Sequence, residues 1–182
     1  MKIDLDRVKI GMIGLVGMDG SFIGKTIESE QLDEGFGKVA SQFTHVFISG
    51  GGMDEVSATF PKSKRRTLDA YRGRAILFLY PKDLEFRKYL RYKFAFFCAS
   101  EANKVYPVQA LVWWVLPDWL KGSSNWLTRG YLKFCSALAS WGMWKIGQDL
   151  WPDTEDAGIM PAAFYEHRGL EHVYLLDKDW VV

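Results

Sequence analysis

Residues 43–59 decide the fold and read FTHVFISGGGMDEVSAT. In the first six positions, aromatic and β-branched side chains surround His45, which is typical of a strand. The three glycines at 50–52 can each adopt a positive φ, so they predict a tight turn. Residues 55–59 then predict the returning strand of a β-hairpin.

The segments outward from this hairpin predict one α+β domain over residues 1–182. Strands are expected at 10–16, 75–80 and 174–176, and helices at 21–29, 82–104 and 132–148. No repeat, low-complexity tract or long linker divides the chain, and its 182 residues are the usual size of one domain. Strands early in the chain and helices later indicate a small antiparallel sheet packed against helices.

Composition and charge exclude several classes of protein. The formal net charge is +1 and 48% of the residues are hydrophobic, so neither nucleic-acid binding nor disorder is expected. The basic residues at 62–66 predict a solvated turn rather than a phosphate site. The two cysteines, Cys98 and Cys135, make neither a disulfide framework nor a zinc site of the usual spacing.

The chain is expected to be soluble, with no signal peptide and no transmembrane helix. Charged residues follow Met1 closely, so the apolar core of a signal peptide is missing. The longest apolar run, at 108–116, is far shorter than the roughly 20 residues that a membrane span needs. The Trp-rich stretch 106–126 is expected to form an acyl pocket, a peripheral membrane contact or part of the core. Its tryptophans are Trp113, Trp114, Trp119 and Trp126.

The tripeptide Gly24-Lys25-Thr26 raises an alternative, a P-loop nucleotide-binding site. A P-loop requires a glycine five residues before Gly24, and Asp19 stands there instead. A carboxylate at that position would face phosphate where backbone N–H groups should point. A P-loop NTPase is therefore kept as an alternative, and a loop followed by a short helix is expected.

Cys135 is the first candidate for chemistry. It follows the turn-prone residues 128–130 and lies near the start of the predicted helix at 132–148. In a first helical turn, unpaired N–H groups and the helix dipole favour the thiolate and lower the thiol pKa, and Lys133 would add to this effect. The alternative is a buried structural cysteine, which is the role expected for Cys98.

His45 is the second candidate, at the start of its strand. A strand fixes the direction of the imidazole, and an ordinary pKa of about 6.5 suits proton transfer at neutral pH. The alternative is a packed or surface histidine. A surface position is also the interpretation given to His167 and His172, in the charged C-terminal part of the chain.

The order of these segments resembles the circularly permuted NlpC-type, papain-like cysteine hydrolase superfamily. The matching segments are 24–27, 44–48, 55–59, 74–79, 134–138 and 160–164. They extend over residues 11–165, and their order and spacing carry the likeness more than any one motif. In unpermuted relatives the cysteine helix precedes the histidine strand, whereas here Cys135 follows His45.

The resemblance implies a permuted papain-like domain in which Cys135 is the nucleophile and His45 is its base. It also implies a polar residue on the strand after the glycine turn, which orients the imidazole. That position falls on Ser57, and Glu55 is expected on the same face of the strand, so either residue could accept from His45. A carboxylate would hold an imidazolium better than a hydroxyl, and the sequence leaves the choice open.

The implied reaction is hydrolysis of an amide or ester by acyl transfer through Cys135, with no metal and no cofactor. The resemblance suggests a cell-wall peptide or a lipid-linked amide as substrate. A catalytically idle member that binds a peptide or a partner protein is the alternative of a different class. Ser57 favours that alternative, because a hydroxyl is a weak third catalytic group.

Overall fold

The computed structural model describes residues 2–58, 62–84, 87–104, 135–154 and 159–181. Within these ranges the chain forms six strands and five α-helices. The strands are β1 (Ile13–Gly17), β2 (Phe43–Gly51), β3 (Asp54–Ser57), β4 (Lys64–Thr67), β5 (Ile76–Pro81) and β6 (Leu170–Leu176). The helices are α1 (Phe22–Asp33), α2 (Lys38–Ser41), α3 (Lys88–Ser100), α4 (Cys135–Lys145) and α5 (Pro161–Glu166). Two short 3-10 turns are Leu68–Tyr71 and Lys82–Leu84.

The six strands form one antiparallel sheet with the order β4-β3-β2-β1-β5-β6. β2 and β3 make the predicted hairpin. Gly51 and Gly52 have positive φ values of 99° and 59°, which glycine adopts without a steric penalty. The predicted α+β class, with an antiparallel sheet packed against helices, is confirmed.

β2 lies at the centre of the core. The helices α3, α4 and α5 all contact it, and Val46, Phe47 and Ile48 are fully buried. Neighbouring strand residues point to opposite faces, so burial of all three means that both faces of β2 are covered. Gly14 of β1 makes room for this packing, because a Cβ atom there would lie 2.0 Å from the Phe47 ring.

α3 and α4 pack closely against each other. Gly142 of α4 allows this approach, since a Cβ atom there would lie 2.4 Å from the Cys98 sulfur. The Cys98 thiol is fully buried and donates to the Leu138 carbonyl oxygen at 3.7 Å. The predicted structural role of Cys98 is therefore confirmed.

The turn predicted at 62–66 is wrong, although Lys62, Lys64 and Arg65 are exposed as expected. Lys64–Thr67 is the strand β4, in which Arg66 lies opposite Glu55 of β3. A run of basic residues predicts solvent exposure, but a strand sends successive side chains to opposite faces. Arg66 is consequently turned towards the buried Glu55 carboxylate, with which it forms an ion pair.

The tripeptide Gly24-Lys25-Thr26 lies in α1. Ser21 caps this helix by accepting from the Gly24 N–H at 3.0 Å, and Asp19 accepts from the Ser21 N–H at 2.9 Å. These side chains occupy backbone N–H groups of the kind that a P-loop offers to phosphate. The expected loop and short helix are present.

Candidate functional site

His45 stands on β2 opposite Val16 of β1, and it is partly buried. Its Nε2 atom lies 2.9 Å from the hydroxyl oxygen of Tyr71. The Tyr71 ring is itself stacked on Phe47, with ring centroids 5.4 Å apart. A paired strand and a packed partner therefore fix the position of the imidazole.

The Tyr71 hydroxyl is the centre of a buried polar cluster. Arg66 Nη2 donates to it at 2.7 Å, and it lies 3.3 Å from Glu55 Oε1 and 3.4 Å from Ser57 Oγ. Arg66 Nε also donates to Glu55 Oε1, and both Glu55 and Ser57 are buried. We call this group the Tyr71 cluster: His45, Glu55, Ser57, Arg66 and Tyr71.

The hydrogen bonds of this cluster correct the prediction that Glu55 or Ser57 accepts from His45 directly. Both residues lie at the cluster, but they reach the Tyr71 hydroxyl, and that hydroxyl contacts the imidazole. Sequence reasoning missed Tyr71 because it ends the 3-10 turn that follows β4, a strand that the sequence analysis did not predict. The sequence offered little to single out Tyr71, since one tyrosine in a polar segment forms no motif with its neighbours.

One donor order in the cluster leaves a ring nitrogen of His45 free. Tyr71 has a single hydroxyl proton. In this order it donates that proton in a hydrogen bond to the Glu55 carboxylate, which can only accept. The Nε2–H group of His45 then donates to the Tyr71 oxygen, and Nδ1 keeps its lone pair. With this donor order, Nδ1 is the atom of His45 that can accept a proton.

The pKa shifts show what favours and what opposes ionisation of the groups in this cluster. Burial raises the pKa of Glu55, and the adjacent Arg66 guanidinium opposes the shift by attracting and donating to the carboxylate. Burial also raises the pKa of Tyr71, and the Glu55 charge adds to the rise, so Tyr71 keeps its proton. Arg66 is therefore the group that makes an ionised Glu55 tolerable in this buried position.

His45 is neutral at physiological pH. Its pKa is lowered to about 3, first by burial and then by the positive charges of Arg66 and Arg74. Asp19, whose carboxylate lies 3.7 Å from Arg74, opposes the shift. The lowered pKa keeps His45 unprotonated, as a general base has to be, but it also makes the imidazole a weaker base than an ordinary histidine.

We predict that acidification destabilises the protein through His45. An unfolded histidine titrates at about 6.5, so between that value and the folded pKa of about 3 only the unfolded chain binds the proton. Stability from this group is complete above about pH 6.5 and is lost as the pH falls. The free energy of unfolding should be lower at pH 5 than at pH 7.5 by about 1–2 kcal/mol, allowing for partial exposure of the ring.

Urea denaturation of the wild type and of His45→Gln at these two pH values measures the effect. His45→Gln should lose less free energy of unfolding between pH 7.5 and pH 5 than the wild type, because the contribution of His45 is absent. Above pH 7.5 the two proteins should show the same pH dependence, because histidine is neutral there in both states. Equal losses between pH 7.5 and pH 5 would show that the His45 pKa is not lowered.

Cys135 is the first described residue of α4 and is 7% exposed. Burial raises the pKa of its thiol, and the backbone N–H groups of Val46, Ser136 and Cys135 oppose the rise only in part. This corrects the expectation of a thiol pKa lowered by a helix N-terminus. Lys133, which was expected to add to that effect, lies outside the described residues.

Cys135 begins the described part of α4, and α4 packs against β2, the strand that carries His45. Cys135 and His45 are both among the described residues, and no hydrogen bond joins the thiol to the imidazole. The imidazole instead makes its hydrogen bond with Tyr71. A neutral thiol and a neutral imidazole make no resting ion pair. Transfer of the thiol proton to His45 would therefore have to accompany attack by the sulfur, because the resting imidazole is a weak base.

The remaining histidines take no part in this cluster. His172 is exposed, as predicted, whereas His167 is partly buried and its Nε2 atom lies 2.9 Å from the Leu150 carbonyl oxygen. Across the ranges that the structure describes, no three or more His, Cys, Asp or Glu side chains are grouped to hold a metal ion.

The predicted acyl pocket or membrane contact falls on residues 106–126. That stretch, with Trp113, Trp114, Trp119 and Trp126, lies outside the described residues. Among the helices that are described, none is both long and apolar enough to cross a membrane.

Comparisons with known proteins do not assign this chain to a family. No protein-family model matches it, and no curated protein matches it in sequence. The geometry around Cys135 and the Tyr71 cluster is therefore the basis for any functional conclusion.

Proposed function

We propose that this chain is a cysteine hydrolase of the permuted papain-like, NlpC-like type, with Cys135 as nucleophile and His45 as general base. One observation carries the proposal: α4, which begins at Cys135 within the described residues, packs against β2, the strand that carries His45. Acyl transfer to a cysteine requires a thiol on one element and an imidazole on its neighbour. The Tyr71 cluster supports the proposal because its contact with Nε2 fixes the position of the imidazole.

In the proposed reaction, Nδ1 of His45 removes the thiol proton while the Cys135 sulfur attacks the carbonyl carbon of an amide or ester. The N–H groups near the thiol stabilise the negative charge that forms on the carbonyl oxygen. The imidazolium then gives its proton to the departing amine or alcohol, and an acyl thioester remains on Cys135. Water, deprotonated by His45, attacks this thioester and releases the acid and the free thiol. The proposal includes no metal and no cofactor.

The substrate class in the proposal is a peptide or a lipid-linked amide, with esters as chemically easier probes. A panel of p-nitrophenyl acetate, p-nitrophenyl decanoate and a peptide p-nitroanilide tests it, with Cys135→Ala assayed beside the wild type. Release of the chromophore above the level of the variant supports the proposal, and preference for the decanoate indicates lipid-like acyl groups. Identical traces for both proteins on all three probes would contradict it.

A catalytically idle member that binds a peptide or partner protein is the second candidate function. The raised pKa of Cys135 favours it, as does the lack of a hydrogen bond between the thiol and His45. Such a protein would keep the Tyr71 cluster for stability alone. It would give no acylated Cys135 with any activated ester, which separates it from the hydrolase.

We predict that Tyr71→Phe lowers kcat about tenfold and changes KM less than about twofold. The change removes one hydrogen bond to Nε2, worth about 1 kcal/mol or slightly more, and no proposed substrate contact. Ser57→Ala is the matched control, since its hydroxyl lies 3.4 Å from the same Tyr71 oxygen and contacts it rather than the imidazole. That variant should keep kcat within about twofold of the wild type. An unchanged kcat in Tyr71→Phe would show that Tyr71 does not position His45.

A further inference from the structure

The outer surface of α3 presents aromatic rings to solvent. Tyr89, Tyr92 and Phe96 are 68%, 48% and 66% exposed, and Trp144 at the end of α4 is 53% exposed. The three rings of α3 are spaced by three and four residues, so they share one side of the helix. Exposed aromatic rings grouped in this way usually mark a surface that contacts something else.

Ring contacts join the two helices into one surface. Phe96 lies 6.0 Å from Phe97, and Phe97 lies 6.5 Å from Trp141 of α4. The ammonium group of Lys145 lies over the rings of both Trp141 and Trp144, at 5.5 and 4.7 Å. We call this surface the aromatic face: Tyr89, Tyr92, Phe96, Phe97, Trp141 and Trp144.

All charged residues within α3 and α4 are positive. α3 carries Lys88, Arg91 and Lys93, α4 ends in Lys145, and neither helix contains Asp or Glu. Lys88 and Lys93 lie over tyrosine rings of the aromatic face, at 5.8 and 4.8 Å. Their aliphatic stems thus run along apolar surface, and their charges stand at its edge.

We propose that the aromatic face docks on an anionic lipid surface. Aromatic rings favour the boundary between hydrocarbon and headgroups, and lysines beside them attract acidic headgroups. The proposal does not depend on hydrolase activity.

Co-sedimentation with vesicles tests the proposal. The wild type should bind vesicles of equal parts phosphatidylcholine and phosphatidylglycerol, and should not bind pure phosphatidylcholine. The double variant Lys88→Gln, Lys93→Gln should weaken binding roughly 30-fold, because each lysine near an anionic surface contributes about fivefold. Tyr89→Ser with Phe96→Ser keeps the charges and should weaken binding at least about tenfold.

Phe22→Ser is the matched control, since Phe22 is 75% exposed on α1, outside the aromatic face. It should bind vesicles like the wild type. Three results would overturn the proposal: no binding of the wild type to the anionic vesicles, binding that both double variants retain, or loss of binding in Phe22→Ser as well. Self-association or oligonucleotide binding that depends on the same residues, without vesicle binding, would assign the face to a different partner.

Discussion

Replacing Cys135 by alanine should abolish hydrolysis of every ester or amide that the wild type turns over, lowering kcat/KM by on the order of 10³-fold or more. In the proposed reaction the sulfur of Cys135 forms the acyl bond, so no other group can take its place. His45→Ala should cost nearly as much. The double variant should lose little more than either single variant, because a nucleophile and its base act as one unit.

Cys98→Ala is the control for loss of a buried thiol. Cys98 lies between α3 and α4 and donates to the Leu138 carbonyl oxygen at 3.7 Å, so its removal should lower stability by about 1 kcal/mol. Its kcat/KM should stay within about twofold of the wild type. If Cys135→Ala retained more than about a tenth of wild-type kcat/KM, Cys135 would not be the nucleophile.

Arg66→Met should lower the free energy of unfolding by about 2–4 kcal/mol at pH 8. Removing one partner of a buried ion pair costs about 3–5 kcal/mol, and the partial exposure of Arg66 reduces this. The Glu55 side chain is fully buried, and within the described residues its Oε2 atom already lacks a hydrogen-bond partner. The variant therefore leaves an uncompensated carboxylate inside the Tyr71 cluster.

The pH dependence of Arg66→Met identifies the cause. Burial raises the folded pKa of Glu55, and loss of Arg66 removes the main opposing influence, so the carboxyl binds a proton more readily in the folded chain. A raised folded pKa gives stability at low pH that is lost as the pH rises. The variant should thus be closer to the wild type at pH 5 than at pH 8, as measured by urea denaturation.

Two further variants separate the buried charge from other effects of the substitution. Glu55→Gln combined with Arg66→Met should recover most of the lost stability, because no ionised group is left unpaired. Arg72→Met breaks the exposed pair with Asp69 and should cost less than about 1 kcal/mol. Equal losses in Arg66→Met and Arg72→Met would contradict the role of Arg66.

The sequence predicted the hairpin well because alternating apolar residues and glycines at a turn report local geometry. β2 and β3 lie within residues 43–59, where the sequence predicted the hairpin. β4 was missed because its side chains are basic, and their exposure depends on what lies across the sheet. Only the pairing of Arg66 with Glu55 shows that one of these charges is turned inward.

From the sequence, the residues of the candidate site could be chosen by their chemical type, but the contacts between them could not be predicted. His45 and Cys135 could be selected because few side chains act as a base or a nucleophile. In the structure His45 lies on β2, and Cys135 lies on α4, which packs against β2. The Tyr71 contact could not be selected, since it depends on a 3-10 turn and on a tertiary approach to Nε2. The thiol pKa was predicted in the wrong direction because burial of Cys135 is a property of tertiary packing.

The most direct test of the central claim is the mass of the protein after brief reaction with p-nitrophenyl acetate. The protein is quenched in acid during the first turnover, and its intact and peptide masses are measured. A single acetyl group on Cys135 in the wild type, and none in His45→Ala over the same time, is the predicted result. An unmodified Cys135 in the wild type, or an equal amount of acetyl group on Cys98, would contradict the proposed pair of Cys135 and His45.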